Sequence, residues 1–232
     1  MIPKKIHYVW VGGKEKPKDI KRCIDTWKGH LSDYEIIEWN ETNFDINAHP
    51  FVRAAYDAKK WAFVSDYIRA SVIYEHGGIY LDTDVLILDN FDDFLNNKAF
   101  VGFENPDHPF TAVFGAEAGH PLVKDMLLYY DNLDNYSFEF NCNNTISVSD
   151  ILINRYNCKT GNGFQVLESG IAVYPDTVLC NPSKNSVAIH VFTGTWLDEK
   201  KPLARKINAF LKLRVTNKTK ASLFRKFIMR VK

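Results

Sequence analysis

The sequence predicts an α/β domain, a mostly parallel sheet flanked by helices, followed by a basic amphipathic helical tail. Three observations predict it. Short aromatic and β-branched runs alternate with stretches of helical period, the pattern of strand–helix–strand units and a largely parallel sheet. The 232 residues, 46% hydrophobic and 14% aromatic, suit one core domain with a small appendage. The net charge of +1 hides a split: Lys200 to Lys232 holds twelve Lys and Arg and no acid, leaving 17 basic and 28 acidic residues in the first 199. The expected division is therefore a domain over 1–199 and a tail over 200–232.

Ile6 to Val11 (IHYVWV) reads as the first strand, running into a Gly12-Gly13 loop. Pro17 to Gly29 places Ile20, Ile24 and Trp27 at helical spacing, Tyr34 to Trp39 reads as the second strand, and Phe51 to Trp61 reads as helix. Ser65 is the expected N-cap of the next helix, DYIRASVIYEH, with Asp66 in its first turn and Gly77-Gly78 as its stop. One strand is expected from Ile79 to Leu88 and another from Phe100 to Glu104. Helices follow at Pro121 to Tyr130 and Ser149 to Tyr156, and short strands at Ile171 to Tyr174 and Val187 to Phe192. Ligands of such sheets bind at the carboxyl ends of the strands.

No apolar run approaches the ~20 residues of a spanning helix, and the opening MIPKKIHYVWVGG lacks a signal-peptide core. A cytosolic protein is expected. Cys23, Cys142, Cys158 and Cys180 show no C-x-x-C pair and read as reduced structural thiols. In the tail, Leu203, Ile207, Phe210, Leu211 and Val215 share one helical face. Leu223, Phe224, Phe227, Ile228 and Val231 share another, across a polar break at Thr216 to Ser222. Basic residues opposite such faces make the pattern of an interfacial membrane helix, so an anionic membrane surface is the expected partner, at the inner face of the plasma membrane. The bland alternative is a helical hairpin packed on the body. Nucleic acid is not expected, because the basic residues alternate with an apolar face rather than with stacking aromatics.

The chemistry concentrates in GGIYLDTDVLIL, where Asp82 and Asp84 interrupt an apolar run. A buried carboxylate needs a partner or a proton. In a strand, residues i and i+2 share a face, so both acids would point together, beside Tyr80. Two hard oxygen ligands at a strand end suit Mg²⁺ or Mn²⁺, and a divalent ion bridging a diphosphate would neutralise a leaving group. D-x-D alone is a weak motif, since one Asp could cap a turn and the other be exposed. A helix opening Ser-Asp-Tyr-x-x-Arg, closing on Gly-Gly and leading through a strand into Asp-x-Asp is far more specific.

The string A-F-V-S-D-Y-I-R…Y-E-H-G-G-I-Y-L-D-T-D-V resembles the central signature of the D-x-D sugar-nucleotide glycosyltransferases of family 32. That family includes bacterial capsule and lipopolysaccharide transferases and the yeast initiating α-1,6-mannosyltransferase. I-P-K-K-I-H-Y-V-W-V-G-G is similar to its first strand and nucleotide loop, and A-I-H-V-F-T-G-T-W to its closing I-H-H-W-x-x-S-W pattern, with Phe192 in place of Trp and Thr195 in place of Ser. The resemblance spans Ile2 to Trp196 and implies a GT-A-like fold, a nucleotide-sugar donor, divalent-metal dependence and a retaining transfer. It implies that Asp84 ligates the metal, that Asp82 meets the donor directly or through the metal, and that His190 is the third protein ligand. Asp66 and Arg69 would hydrogen-bond the donor sugar, Trp10 with the Val9 and Val11 backbone would hold the base, and Trp196 would close over the diphosphate.

Each residue also has a plainer reading. Asp66 can be a helix-start carboxylate with Arg69 its i+3 partner, Trp10 and Trp196 can be core, His190 can be a satisfied core histidine, and Gly12, Gly13, Gly77 and Gly78 can be turn glycines. Glu104 and Asp150 are weaker candidates for acceptor contacts. The expected reaction moves a hexose, from a UDP-linked donor in preference to GDP-mannose, to a carbohydrate or lipid-linked oligosaccharide acceptor in cell-surface polysaccharide synthesis. Its transition state is oxocarbenium-like, and no carboxylate stands out as a covalent nucleophile. The rivals are an inactive transferase-like scaffold and a phosphatase of the haloacid-dehalogenase type. The latter's nucleophile loop usually follows the first strand, whereas here about 80 residues precede it.

Overall fold

The computed structural model describes residues 1–133, 136, 138, 144–194 and 202–231. Its elements run β1 (Lys5–Val9), α1 (Lys18–His30), β2 (Glu35–Trp39), α2 (Pro50–Asp57), α3 (Trp61–His76), β3 (Gly78–Leu81), β4 (Val85–Ile87), β5 (Ala99–Gly102), β6 (Val113–Ala116), α4 (Pro121–Asp131), α5 (Asn144–Tyr156), β7 (Gln165–Leu167), β8 (Ile171–Tyr174), the short α6 (Asp176–Leu179), β9 (Ala188–His190), α7 (Leu203–Lys212) and α8 (Lys218–Val231).

Among the described residues, seven strands form one sheet in the order β2-β1-β3-β6-β5-β8-β7. Five of them run in one direction; β6 and β7 run against the rest. Helices cover both faces, and the strands show it by alternation. In β3, Ile79 and Leu81 join one core cluster and Tyr80 the other; in β5, Phe100 takes one side and Ala99 with Val101 the opposite one. A two-residue period with both faces apolar is what a doubly covered sheet requires.

β4 and β9 form a separate antiparallel pair. The single strand expected from Ile79 to Leu88 is therefore two. The chain leaves the large sheet at Asp82, whose N–H donates to Ala112 O (2.9 Å) and whose carbonyl accepts from Val85 N (3.1 Å). That turn re-aims the chain into the second sheet, where α1 secures it: Trp27 Nε1 donates to Val85 O (2.7 Å). Acid side chains in the middle of a doubly covered strand would have met apolar helices on either face; the turn sends them into a cleft instead.

The helix of the Ser-Asp-Tyr-x-x-Arg motif also begins earlier than expected. Lys59 takes a left-handed backbone (φ 57°) and ends α2, after which α3 starts at Trp61. Ser65 is not its cap; its hydroxyl bonds back to Ala62 O (2.7 Å), and Asp66 lies inside the helix. Gly77 (φ 62°) stops α3 as expected. Strands β6 and β7 were not anticipated: each is three or four residues long with little alternation to signal it.

The tail helices pack on the second sheet. Leu213, Val215 and Ala221 bury against Leu86, Leu88, Ile189 and Val191, with Phe224 alongside. Leu203, Ile207, Phe210, Leu223 and Phe227 stay exposed. Cys23, Cys158 and Cys180 are free, buried thiols; Cys142 lies outside the described residues. Among the described residues no helix is long and apolar enough to cross a membrane.

Candidate active site

A cleft of about 410 Å³ opens at the carboxyl ends of β1 and β3. Val9, Trp10, Val11, Asp66, Arg69, Asp82, Asp84 and His190 all line it. Residues expected to act together from positions as far apart as 9 and 190 thus line one cleft. Trp196 lies outside the described residues.

The end of β1 supplies one side. Trp10 is held from both ends: its backbone N–H donates to Trp39 O (2.9 Å) and its indole N–H to Lys14 O (2.6 Å). Trp61, at the start of α3, faces the same cavity and was not anticipated. Gly12 shows why it belongs there: a Cβ at Gly12, which has φ 90°, would lie 2.8 Å from the Trp61 ring. The glycine loop and the indole are fitted to each other, a pairing hidden by some fifty intervening residues.

On the floor, Arg69 Nη2 bridges Asp66 Oδ1 (2.8 Å) and Asp82 Oδ1 (3.0 Å), and the guanidinium Cζ lies 4.6 Å from the centre of the Tyr80 ring. Arg69 and Asp66 are both buried. Burial pushes the Asp66 carboxyl up to about 6, against the pull of Arg69. Asn144, at the start of α5, donates its N–H to Asp66 Oδ2 (3.3 Å). The i+3 ion pair of the plainer reading exists, and it also reaches across to the D-x-D turn. Asp150 lines a separate shallow depression beside Tyr129 and Arg155.

At the far side, Asp84 is buried. It accepts the Thr193 N–H (2.8 Å) and hydroxyl (2.9 Å) and sits 3.3 Å from His190 Nε2. Burial opposes its charge, but His190 and the two Thr193 donors outweigh burial and hold the carboxyl near 2. His190 is raised well above its usual value: burial opposes the imidazolium, and Asp84 more than offsets it. Ligand atoms of Asp82, Asp84 and His190 lie within 4.8 Å of one another. Two carboxylates and an imidazole at this spacing, open to a cavity, fit Mn²⁺ or Mg²⁺ with positions left for water and phosphate oxygens.

Residues 17–101 match the family model described as a glycosyltransferase sugar-binding region containing a DXD motif. That stretch of the chain is thus similar to a DXD sugar-binding region. It is 30% identical over 146 residues to inositol phosphoceramide mannosyltransferase 3 of Schizosaccharomyces pombe, an alignment covering 60% of this chain and 39% of that protein. It is 29% identical over 149 residues to an uncharacterized glycosyltransferase of Acanthamoeba polyphaga mimivirus, covering 58% and 59% respectively. The chain thus spans less than two thirds of either relative. Among solved structures, the PaToxG glycosyltransferase aligns over 66% of this chain and 69% of its own, with 18% identity and a TM-score of 0.49. The matched DXD region contains α1, β2, α3, the Arg69 bridge and both aspartates; β1 with Trp10, and His190, lie outside it.

Proposed function

We propose that this protein is a metal-dependent retaining glycosyltransferase. It moves a hexose from a nucleotide diphosphate sugar, most simply a UDP-sugar, to a hydroxyl of a carbohydrate acceptor in cell-surface polysaccharide or lipopolysaccharide synthesis. The observation that carries this reading is the meeting of Asp82, Asp84 and His190 with the Trp10 wall in one cleft.

In this reading Asp82, Asp84 and His190 hold Mn²⁺ or Mg²⁺, which supplies a Lewis acid that neutralises the departing diphosphate. Trp10, with the Val9 and Val11 backbone and Trp61, receives the base. Asp66 and Arg69 face the sugar, and the Arg69 guanidinium keeps Asp82 from repelling Asp66. Thr193 orients Asp84 through two donated hydrogen bonds. Lys14 and Arg205 reach the cavity from the β1 loop and from α7 and suit the diphosphate. The bond from the anomeric carbon to the diphosphate oxygen breaks, the bond to the acceptor oxygen forms on the same face, and the acceptor proton passes to the leaving phosphate oxygen.

The tail holds the enzyme at an anionic surface, the inner face of the plasma membrane, beside a lipid-linked oligosaccharide acceptor. Five exposed large apolar side chains and an acid-free basic run support this. The relative named for mannosyl transfer to inositol phosphoceramide supports a lipid-borne acceptor and adds GDP-mannose to the donors worth testing.

The test is donor hydrolysis with a panel of UDP- and GDP-sugars in Mn²⁺ or EDTA, with Asp84→Ala as control. Metal-dependent nucleotide release from one donor, lost in the variant, is the expected result. No release, together with no Mn²⁺-dependent nucleotide binding by calorimetry, would favour the scaffold reading.

A further inference from the structure

His190 is gripped from three directions. Its Nε2 faces Asp84. Its carbonyl accepts from Lys212 Nζ at 2.7 Å, and its ring lies 3.8 Å from the Phe192 ring. Among the described residues its Nδ1 is buried without a hydrogen-bond partner, and Glu104 Oε2 lies 3.9 Å from it.

An imidazole that ligates a cation through one nitrogen carries its proton on the other, and that N–H needs an acceptor. Here the orphan Nδ1 and a cleft-lining carboxylate, itself only 23% exposed, stand about 1 Å beyond ordinary hydrogen-bond distance. Lys212 belongs to the tail, yet it is 3% exposed and lies 4.5 Å over the Phe192 ring. An ammonium so buried is expected only where it does something for its partners. It contacts the carbonyl of His190 and the tilted Phe192 ring beside that histidine. Phe192, with φ 63°, turns the chain back toward Asp84 through Thr193.

We infer that Glu104 and Lys212 are positioning residues for His190. When a cation sits on Nε2, Glu104 closes the 3.9 Å gap to accept the Nδ1–H and thereby fixes the tautomer that presents Nε2 beside Asp84. Lys212 fixes the backbone that carries the ring. The tail helix α7 is then part of the metal-binding apparatus, and seating the tail and loading the cation are coupled. This rests on the metal site of the proposed function. One rival for Nδ1 is the Cys180 thiol, which neighbours His190 and donates to Glu104 O at 3.8 Å.

The test is Mn²⁺ affinity of the full chain by calorimetry, without donor or turnover. Glu104→Leu and Lys212→Met should each weaken binding by ~10–100-fold, the range for outer-shell partners. Glu104→Gln, which keeps an acceptor oxygen, should recover part of the loss, and Cys180→Ala should change affinity less than about threefold. Thermal melting of each variant establishes that it is folded. With Mg²⁺ bound and histidine ¹⁵N-labelled, a protected His190 Nδ1–H resonance should be present in wild type and exchange rapidly in Glu104→Leu. Unchanged affinity in folded Glu104→Leu, or an equal loss in Cys180→Ala, would overturn the role of Glu104. Full affinity in folded Lys212→Met would overturn the role of Lys212. Wild type that binds no Mn²⁺ would instead overturn the metal reading itself, and this inference with it.

Discussion

The Asp84 carboxylate accepts both the backbone N–H and the hydroxyl of Thr193, which lies 109 residues further along the chain. The D-x-D turn and the loop after β9 are thereby one structural unit. Thr193→Val keeps the shape and removes the hydroxyl donor. Hydrogen bonds to a charged group contribute about 1.5–3 kcal/mol, so Mn²⁺ or donor affinity should fall by ~10–100-fold. Thr193→Ser should stay near wild type. Equal affinity of the Val and Ser variants in calorimetry would show that the hydroxyl does not orient Asp84.

Arg69 is the cation that lets Asp66 and Asp82 face each other. Arg69→Met leaves the buried Asp66 carboxyl without its counter-charge. Breaking a buried pair from one side costs about 3–5 kcal/mol, read as a drop in urea midpoint. The double variant Arg69→Met/Asp66→Asn should recover a large part of that loss, because it removes the stranded charge. Additive losses in the double-variant cycle would mean that the pair is not coupled.

His7 gives the fold an acid limit. It is fully buried; its Nδ1 accepts from the Trp39 indole (3.0 Å) and its Nε2 donates to Gly77 O (3.0 Å). Burial pulls its pKa down to about 4. The unfolded chain takes up this proton near the ordinary value of about 6.5, so the neutral ring's contribution is complete above that pH. Stability then falls as pH drops from about 6.5 toward 4, by up to ~3 kcal/mol. Urea titrations at pH 7, 5.5 and 4.5 should show the slope, and His7→Gln should flatten it. An identical slope in the variant would assign the effect to other groups.

The two faces of the tail should behave differently. Leu213 is buried against the second sheet, and Leu213→Ala should cost about 2–4 kcal/mol. Phe210 and Phe227 are more than half exposed, and Phe210→Ser/Phe227→Ser should change stability by less than about 1 kcal/mol. The same double substitution should lower sedimentation with phosphatidylserine vesicles. Undiminished vesicle binding would remove these side chains from the membrane reading.

Much of this molecule was legible in residue order because the signals are local. The apolar stripe of α1, the Gly77 stop, the Ile6 run and the D-x-D motif each declare themselves within a dozen residues. The set Val9, Trp10, Val11, Asp66, Arg69, Asp82, Asp84 and His190 could be named from the chain alone, and all eight reach one cleft. What residue order could not show was geometry that needs distant partners. The acids converge through a turn between two sheets rather than along one strand, because β4 finds its partner in β9, a hundred residues away. Trp61 lines the cleft because Gly12 leaves it room. Lys212 looked like one more solvated charge of a basic tail. Only the packing of α7 on the β4–β9 pair buries that ammonium against His190, since burial and pairing are properties of the folded neighbourhood rather than of the residue.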